Sequence, residues 1–131
     1  MLNEVRYYKD ARGFFPAREF MNDRHNGSIK VNIQTTIGAL EINGLGLMRT
    51  ERMSFIGDRD DNGPRIQGLY ELRNEKKKWR VAVYHDQAED RFVLLCGWRK
   101  NQQRQPEDIL RAQIMQREYL TRKEGGDVVT D

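Results

Sequence analysis

Five basic side chains lie at the ends of three apolar stretches in the second half of the chain. Arg73 ends the stretch LYELR, and Arg80 stands near the start of WRVAVYH. Three more follow the stretch RFVLLCGW: Arg99, Lys100 and Arg104. Guanidinium groups bind phosphate oxygens in bidentate fashion and stay charged at all relevant pH values. Beside a scissile phosphate, such cations would stabilise the charge that develops during phosphoryl transfer. The spacing therefore indicates a phosphate-binding site built from three segments.

Two aromatic residues accompany these cations. Tyr70 and Trp98 lie on the first and third stretches, where their rings can stack on unpaired bases, a contact that RNA-binding proteins use widely. Aromatic residues at such positions pack in the core or on a sheet surface more often than they stack on bases. Arg73 has an alternative too, because it can form an ion pair with Glu71 or Glu75. For the three lysines at 76–78 we favour an exposed turn over a binding role.

Other kinds of chemistry find no support in the sequence. His25 and His85 are far apart and lack the spacing of zinc ligands. Cys96 is the only cysteine and sits inside the apolar run FVLLC, which predicts a buried and unreactive thiol. The chain has neither a glycine-rich phosphate loop of the Walker type nor a nucleophile elbow. We therefore expect no metal and no cofactor.

The positive charge of the chain is concentrated in its third quarter. The net charge is +3, and residues 65–104 contain ten basic but only five acidic side chains. A basic sheet face is a plausible surface for an anionic partner such as a nucleic acid. No apolar stretch approaches the roughly 20 residues of a membrane helix, and the first residues do not resemble a secretory signal. We therefore expect a cytoplasmic protein that does not interact with a membrane.

The hydrophobic pattern predicts a single domain over residues 1–131, with a core at about 4–123 and a frayed tail at 124–131. The predicted elements are a strand at 4–9, helices at 17–25 and 28–44, strands at 69–73, 79–85 and 91–98, and a helix that begins at Pro106. The short turns between the last three strands make them antiparallel neighbours.

Two segments are harder to interpret from their residues. The apolar residues of segment 28–44 fit one face of a helix, but several of them also alternate as in a strand, so periodicity does not decide. Residues 44–68 are rich in glycine and charge, with DRDDNGPR at 58–65, and predict a long, partly irregular connection.

Four runs, taken in order, resemble the phage-derived HigB-like toxins of the RelE/ParE superfamily. They are VRYYKDARGFFPAREFMN near the start, GLYELR (68–73), WRVAVYHD (79–86) and FVLLCGWRKNQQRQPEDILRA (92–112). The similarity covers most of residues 4–120. It implies an α+β fold with a small antiparallel sheet, two N-terminal helices and a C-terminal helix. It also favours a helix for residues 28–44.

The resemblance also implies a function. Such toxins are endoribonucleases that cleave mRNA, usually on the ribosome, and are neutralised by an antitoxin protein with a helix-turn-helix domain. The expected reaction needs no metal: the ribose 2′-OH attacks the adjacent phosphate and the 5′-oxygen leaves. It requires a base, cations around the phosphate and an acid.

Matched to the family's motifs, four residues are candidate catalytic groups. Arg80 is the expected main phosphate clamp and Arg73 its support. Lys100 is expected to stabilise charge or donate a proton. Glu71 is a possible base, or else it orients the two arginines. Asn101 stands where the family has a second lysine. RNA binding is assigned to Arg99, Arg104, Trp98 and Tyr70.

Two alternatives belong to other functional classes. ParE-like members of the same superfamily inhibit DNA gyrase by binding and cleave no RNA. The chain can also be a catalytically inactive binding module of phage origin. The basic end of the third strand, with Lys100 and Arg104, favours the nuclease over the gyrase inhibitor.

Overall fold

One sheet covered by helices on both faces makes up the fold. The computed structural model describes residues 1–56, 67–100 and 106–131. In these ranges the strands are β1 (Glu4–Tyr7), β2 (Met53–Phe55), β3 (Leu69–Asn74), β4 (Trp79–Asp86) and β5 (Arg91–Arg99). The α-helices are α1 (Pro16–Asn22), α2 (Gly27–Asn43) and α3 (Pro106–Glu124). The predicted α+β class, with two N-terminal helices and a C-terminal helix, is confirmed.

The sheet has the order β1-β5-β4-β3-β2. Strands β3, β4 and β5 form antiparallel pairs, as their short connections predict. Strand β2 also pairs with β3 in the antiparallel direction. The sheet differs from the wholly antiparallel expectation at one edge, where β1 pairs with β5 in parallel. Because β1 and β2 lie at opposite edges, helices α1 and α2 carry the chain from one edge to the other, and this crossover permits the parallel pairing.

Two apolar cores lie on the two faces of the sheet. Helices α1 and α2 cover one face, where Ile33, Leu40 and Trp79 are fully buried. Helix α3 covers the other face, where Leu95 and Tyr119 are fully buried. Because both faces are covered, most residues of β4 and β5 are buried, and most of them are apolar.

Strand β5 carries an irregularity that changes which face its residues occupy. Its register with β4 shifts between Ala82 and Val83, so that Leu95 and Cys96, although adjacent, both join the core under α3. After this bulge, Gly97 lies against the Phe20 ring of α1, which a Cβ at this position would overlap. Cys96 is buried as predicted, and burial raises the pKa of its thiol to about 11.

Segment 28–44 is helical, which settles the ambiguity of its sequence pattern. The residues spaced for one helix face, Ile29, Ile33, Ile37 and Leu40, are all buried. Helix α3 ends before Gly125-Gly126, with Gly126 at φ +85°, a conformation that glycine adopts without strain. None of the helices in the described ranges is long and apolar enough to cross a membrane.

The connection at 44–68 and the C-terminal tail both contain regular structure, and the expectation of a frayed tail is wrong. The connection 44–68 contains a 3-10 helix at Gly44–Arg49 and strand β2, while its DRDDNGPR part lies outside the described residues. The last residues do not fray. Val129 is buried, its carbonyl accepts a hydrogen bond from the Lys9 amide at 2.8 Å, and Thr130 bridges to Tyr8. These bonds satisfy backbone groups at the edge of the sheet.

Candidate functional site

Three segments that carry basic residues meet at one end of the sheet. The antiparallel register of β3 and β4 places Arg73 directly opposite Arg80. The amide of Lys100 donates to the carbonyl oxygen of Lys78 at 2.9 Å, which holds the end of β5 beside the β3–β4 turn. The short hairpin and the strand order therefore bring Arg73, Arg80 and Lys100 together, as the sequence pattern predicts.

The carboxylate of Glu75 lies between these three cations. Its Oε1 atom is 3.0 Å from Nη2 of Arg80 and 3.7 Å from Nη1 of Arg73. Its Oε2 atom is 3.8 Å from Nζ of Lys100. We call Glu71, Arg73, Glu75, Arg80 and Lys100 the Glu75 cluster. The sequence interpretation considered Glu75 only as one possible partner of Arg73, because nothing in its spacing places it at the centre.

Glu71 forms the deeper part of the Glu75 cluster. Its Oε1 atom lies 3.7 Å from Nε of Arg80, and its side chain is mostly buried. The hydroxyl of Ser54, on the neighbouring strand β2, donates to the same carboxylate at 3.0 Å. Ser54 was missed by sequence reasoning because β2 has only three residues and stands in a segment without clear periodicity.

Arg80 is the most buried member of the cluster, with only 3% of its side chain exposed. Its guanidinium donates to the carbonyl oxygen of Trp79 at 2.9 Å as well as to Glu75. A buried cation without a partner is costly, so these acceptors are what allow Arg80 to lie inside the protein. The cluster contains three cations and two carboxylates, which leaves one net positive charge.

The turn between β3 and β4 determines where Glu75 stands. The Asn74 side chain accepts from the Lys77 amide at 2.8 Å, and the Asn74 carbonyl accepts from the Lys78 amide at 2.8 Å. Lys78 closes the turn in the left-handed region, at φ 54°. The lysines at 76–78 are exposed in this turn, in agreement with the solvated-turn interpretation.

Arg99, which the sequence assigned to RNA binding, does not join the Glu75 cluster. Arg99 extends to the opposite face of the sheet, where its Nε donates to the Asn26 side chain at 2.8 Å and its Nη2 to the His25 carbonyl at 3.2 Å. The bulge in β5 shifts the alternation of side chains, and this explains why sequence periodicity did not reveal the face. Arg104 lies outside the described residues.

The two aromatic residues do not offer their rings to this site. Trp98 is opposite Arg80 in the register but is buried in the core under α3, since β5 is an inner strand with both faces covered. Tyr70 points to the face covered by α1 and α2, where it packs edge to face with Phe55 at 5.1 Å between ring centroids. Burial raises the pKa of the Tyr70 hydroxyl. Both rings are sheet-packing aromatics.

A second charged cluster, which sequence reasoning missed, lies at the other end of β4. Its centre is Asp86, which is 1% exposed. The Asp86 Oδ2 atom accepts from the Tyr119 hydroxyl at 2.5 Å and from Nζ of Lys123 at 2.7 Å. Arg91 in turn donates to the Tyr119 oxygen through Nη2 at 2.8 Å. We call Asp86, Arg91, Tyr119 and Lys123 the Asp86 cluster.

The pKa shifts within the Asp86 cluster follow from these bonds. Burial alone would raise the pKa of Asp86, but hydrogen bonds from Lys123 and Tyr119 outweigh it and the pKa is lowered. Burial and the bond to Asp86 raise the pKa of Tyr119. One signal was available in the sequence: Tyr119 and Lys123 are one helical turn apart, so both can reach the same strand end.

Comparisons with known proteins add no relative. No protein-family model matches the chain, and no curated protein or solved structure is significantly similar to it. Within the described ranges, no group of three or more His, Cys, Asp or Glu side chains is arranged to hold a metal ion. The case for a function therefore depends on the geometry of the Glu75 cluster and on the sequence runs described above.

Proposed function

We propose that this chain is an endoribonuclease toxin of the RelE/ParE type that cleaves mRNA on the ribosome without a metal ion. The observation that supports this most strongly is the meeting of Arg73, Arg80 and Lys100, from three segments, around a single carboxylate. Cations that surround one anion in this way suit a phosphate whose charge grows during cleavage. The proposed place of action is the cytoplasm, and the proposed partner is a helix-turn-helix antitoxin.

In the proposed reaction each group has one role. Glu71 removes the proton from the ribose 2′-OH, whose oxygen then attacks the adjacent phosphorus. Arg80 and Arg73 hold the phosphate oxygens as negative charge develops on them. Lys100 donates a proton to the departing 5′-oxygen. The products are a 2′,3′-cyclic phosphate and a 5′-hydroxyl end, and no cofactor takes part.

Mapping of mRNA 5′ ends after induced expression tests this function. We expect growth arrest together with new mRNA ends that carry 5′-hydroxyl groups, and we expect Arg73→Ala to weaken both. Arg6→Ala is the matched control, because Arg6 is also a strand arginine in an ion pair, with Glu4, but lies on edge strand β1. Growth arrest with intact messages and gyrase-dependent DNA breaks would instead indicate the gyrase inhibitor.

One observation favours a second candidate, a catalytically inactive binding module. Arg80 is almost wholly buried and its guanidinium is already paired with Glu75. A protein without cleavage activity has no need to free this arginine. Induction of the chain without new mRNA ends and without growth arrest would support that candidate.

A further inference from the structure

The burial of Arg80 raises the question of how an RNA phosphate would reach it. The two oxygens of Glu75 already contact Arg80, Arg73 and Lys100 at 3.0, 3.7 and 3.8 Å. A carboxylate and a phosphodiester each carry one negative charge and present two acceptor oxygens to cations. Glu75 therefore stands where an anionic ligand of these three cations would stand.

Glu75 is held less firmly than its partner Arg80. Its side chain is 53% exposed, against 3% for Arg80, and it projects from the turn rather than from a strand. Only one of its three contacts, the one with Arg80, is short enough for a hydrogen bond. Its longer contacts with the partly exposed Arg73 and Lys100 contribute little to stability, because water solvates these separated charges well. A change of side-chain rotamer would move the Glu75 carboxylate into water.

We propose that Glu75 is an internal competitor for the phosphate site, and that a phosphodiester of RNA binds by displacing its carboxylate from Arg80, Arg73 and Lys100. This inference rests on the proposed function for the identity of the ligand, but the competition itself concerns any phosphate. The exchange conserves the charge around Arg80, since one monoanion replaces another. Neutralising Glu75 then removes the competitor and strengthens phosphate binding.

The test compares two purified variants that each lose one negative charge. Glu75→Gln removes the competitor. Glu89→Gln is the matched control, because Glu89 is also a turn carboxylate, is 50% exposed and pairs at 3.8 Å with Lys123 at the other end of the sheet. The ligands are inorganic phosphate and a 2′-O-methyl RNA, whose blocked 2′-oxygen prevents cleavage. Affinities are measured by titration calorimetry for phosphate and fluorescence anisotropy for RNA.

We expect Glu75→Gln to bind both ligands about tenfold more tightly than the unchanged protein, equivalent to about 1.4 kcal/mol. Glu89→Gln should bind within about twofold of the unchanged protein. Circular dichroism checks that each variant is folded. If Glu75→Gln fails to fold, Glu75→Asp replaces it, since the shorter side chain withdraws from Lys100 and should strengthen binding in the same direction.

The outcomes separate this inference from the proposed function. Equal affinities for Glu75→Gln and Glu89→Gln would overturn the competition, even if the unchanged protein binds and cleaves RNA. Tighter phosphate binding by Glu75→Gln, without any binding of RNA, would support the competition and contradict the proposed function. No binding of either ligand by any variant would contradict both.

Discussion

The two ends of strand β4 carry charged clusters of opposite construction. At the Asp86 end the buried group is a carboxylate, and at the Glu75 end it is the guanidinium of Arg80. Asp86 accepts bonds of 2.5 and 2.7 Å from Tyr119 and Lys123. Glu75 is exposed and makes one contact of 3.0 Å and two longer ones.

This difference distinguishes a charged cluster that stabilises the fold from one whose counter-ion can be exchanged for another anion. The Asp86 carboxylate is enclosed by partners from α3, so removing any of them leaves a buried charge without compensation. At the Glu75 end the buried cation is neutralised by a group that water can reach. A second anion can therefore take the place of Glu75 while Arg80 stays paired. We propose that the Asp86 cluster stabilises the fold and that the Glu75 cluster binds a ligand.

The largest expected effect is on activity at the Glu75 end. We expect Arg80→Ala to lower the rate of RNA cleavage about a hundredfold or more, because it removes the donor closest to the phosphate site. Cleavage is measured by mapping mRNA 5′ ends in cells that express equal amounts of each protein. Asp86→Asn, at the opposite cluster, should retain activity under conditions where it is folded. A folded Arg80→Ala protein with full activity would contradict the proposal that the Glu75 cluster binds the RNA phosphate.

At the Asp86 end we expect the largest loss of stability. Asp86→Ala should lower the free energy of unfolding by about 3 kcal/mol, because Lys123 and the Tyr119 hydroxyl lose a buried acceptor. Urea unfolding measures this loss. Glu89→Gln, at an exposed position in the turn that follows Asp86, should change stability by less than about 0.5 kcal/mol. Similar losses in the two variants would mean that the Asp86 cluster has no special structural role.

Substitution of Arg73 should lower the cleavage activity with little effect on stability. Its side chain is partly exposed, and its Nε donates to the Glu51 carbonyl at 2.9 Å while Nη1 is 3.7 Å from Glu75. We expect Arg73→Ala to lower cleavage about tenfold, since it removes a supporting cation of the phosphate site, with little change in the urea midpoint. Unchanged cleavage with reduced stability would mean that Arg73 stabilises the fold and does not support the phosphate site.

The smallest effect is the acid dependence of stability. The folded-state pKa of Asp86 is lowered from its ordinary value of 3.8, so the unfolded chain binds a proton at this residue more readily. Its contribution is complete above about pH 5 and is lost as the pH falls through the folded pKa. Between pH 5 and pH 3 the unchanged protein should therefore lose more stability than Asp86→Asn, by roughly 1 kcal/mol. Equal losses of stability in the unchanged protein and in Asp86→Asn, measured by urea unfolding at each pH, would contradict this.

The sequence predicted the parts of the fold that local periodicity and turn residues determine. Strands β3 to β5 and helix α3 were found because their apolar residues repeat at regular spacings. The helix at 28–44 was preferred to a strand partly because of the family resemblance, since its spacing fits both. Strand β2 was missed because three residues cannot establish a period. The parallel pairing of β1 was also missed, because it depends on the path that α1 and α2 take across the sheet.

The candidate site was predictable only in part. The closeness of Arg73 and Arg80 follows from a short hairpin, which fixes the partners across it. The burial of Trp98 depends on the packing of α3, and the face of Arg99 depends on a bulge in β5. Neither can be obtained from spacing. The central position of Glu75 depends on the geometry of the turn between β3 and β4. The run of charged residues in this turn does not predict that geometry.

The most direct test of the account follows the two clusters at once. The 15N–1H signals of the arginine Nε groups are recorded while 2′-O-methyl RNA is added to the purified protein. The account predicts that the signals of Arg73 and Arg80 shift as RNA binds, because the phosphate replaces Glu75, while the Arg91 signal at the Asp86 cluster stays in place. Shifts at Arg91 with unchanged signals from Arg73 and Arg80 would contradict it.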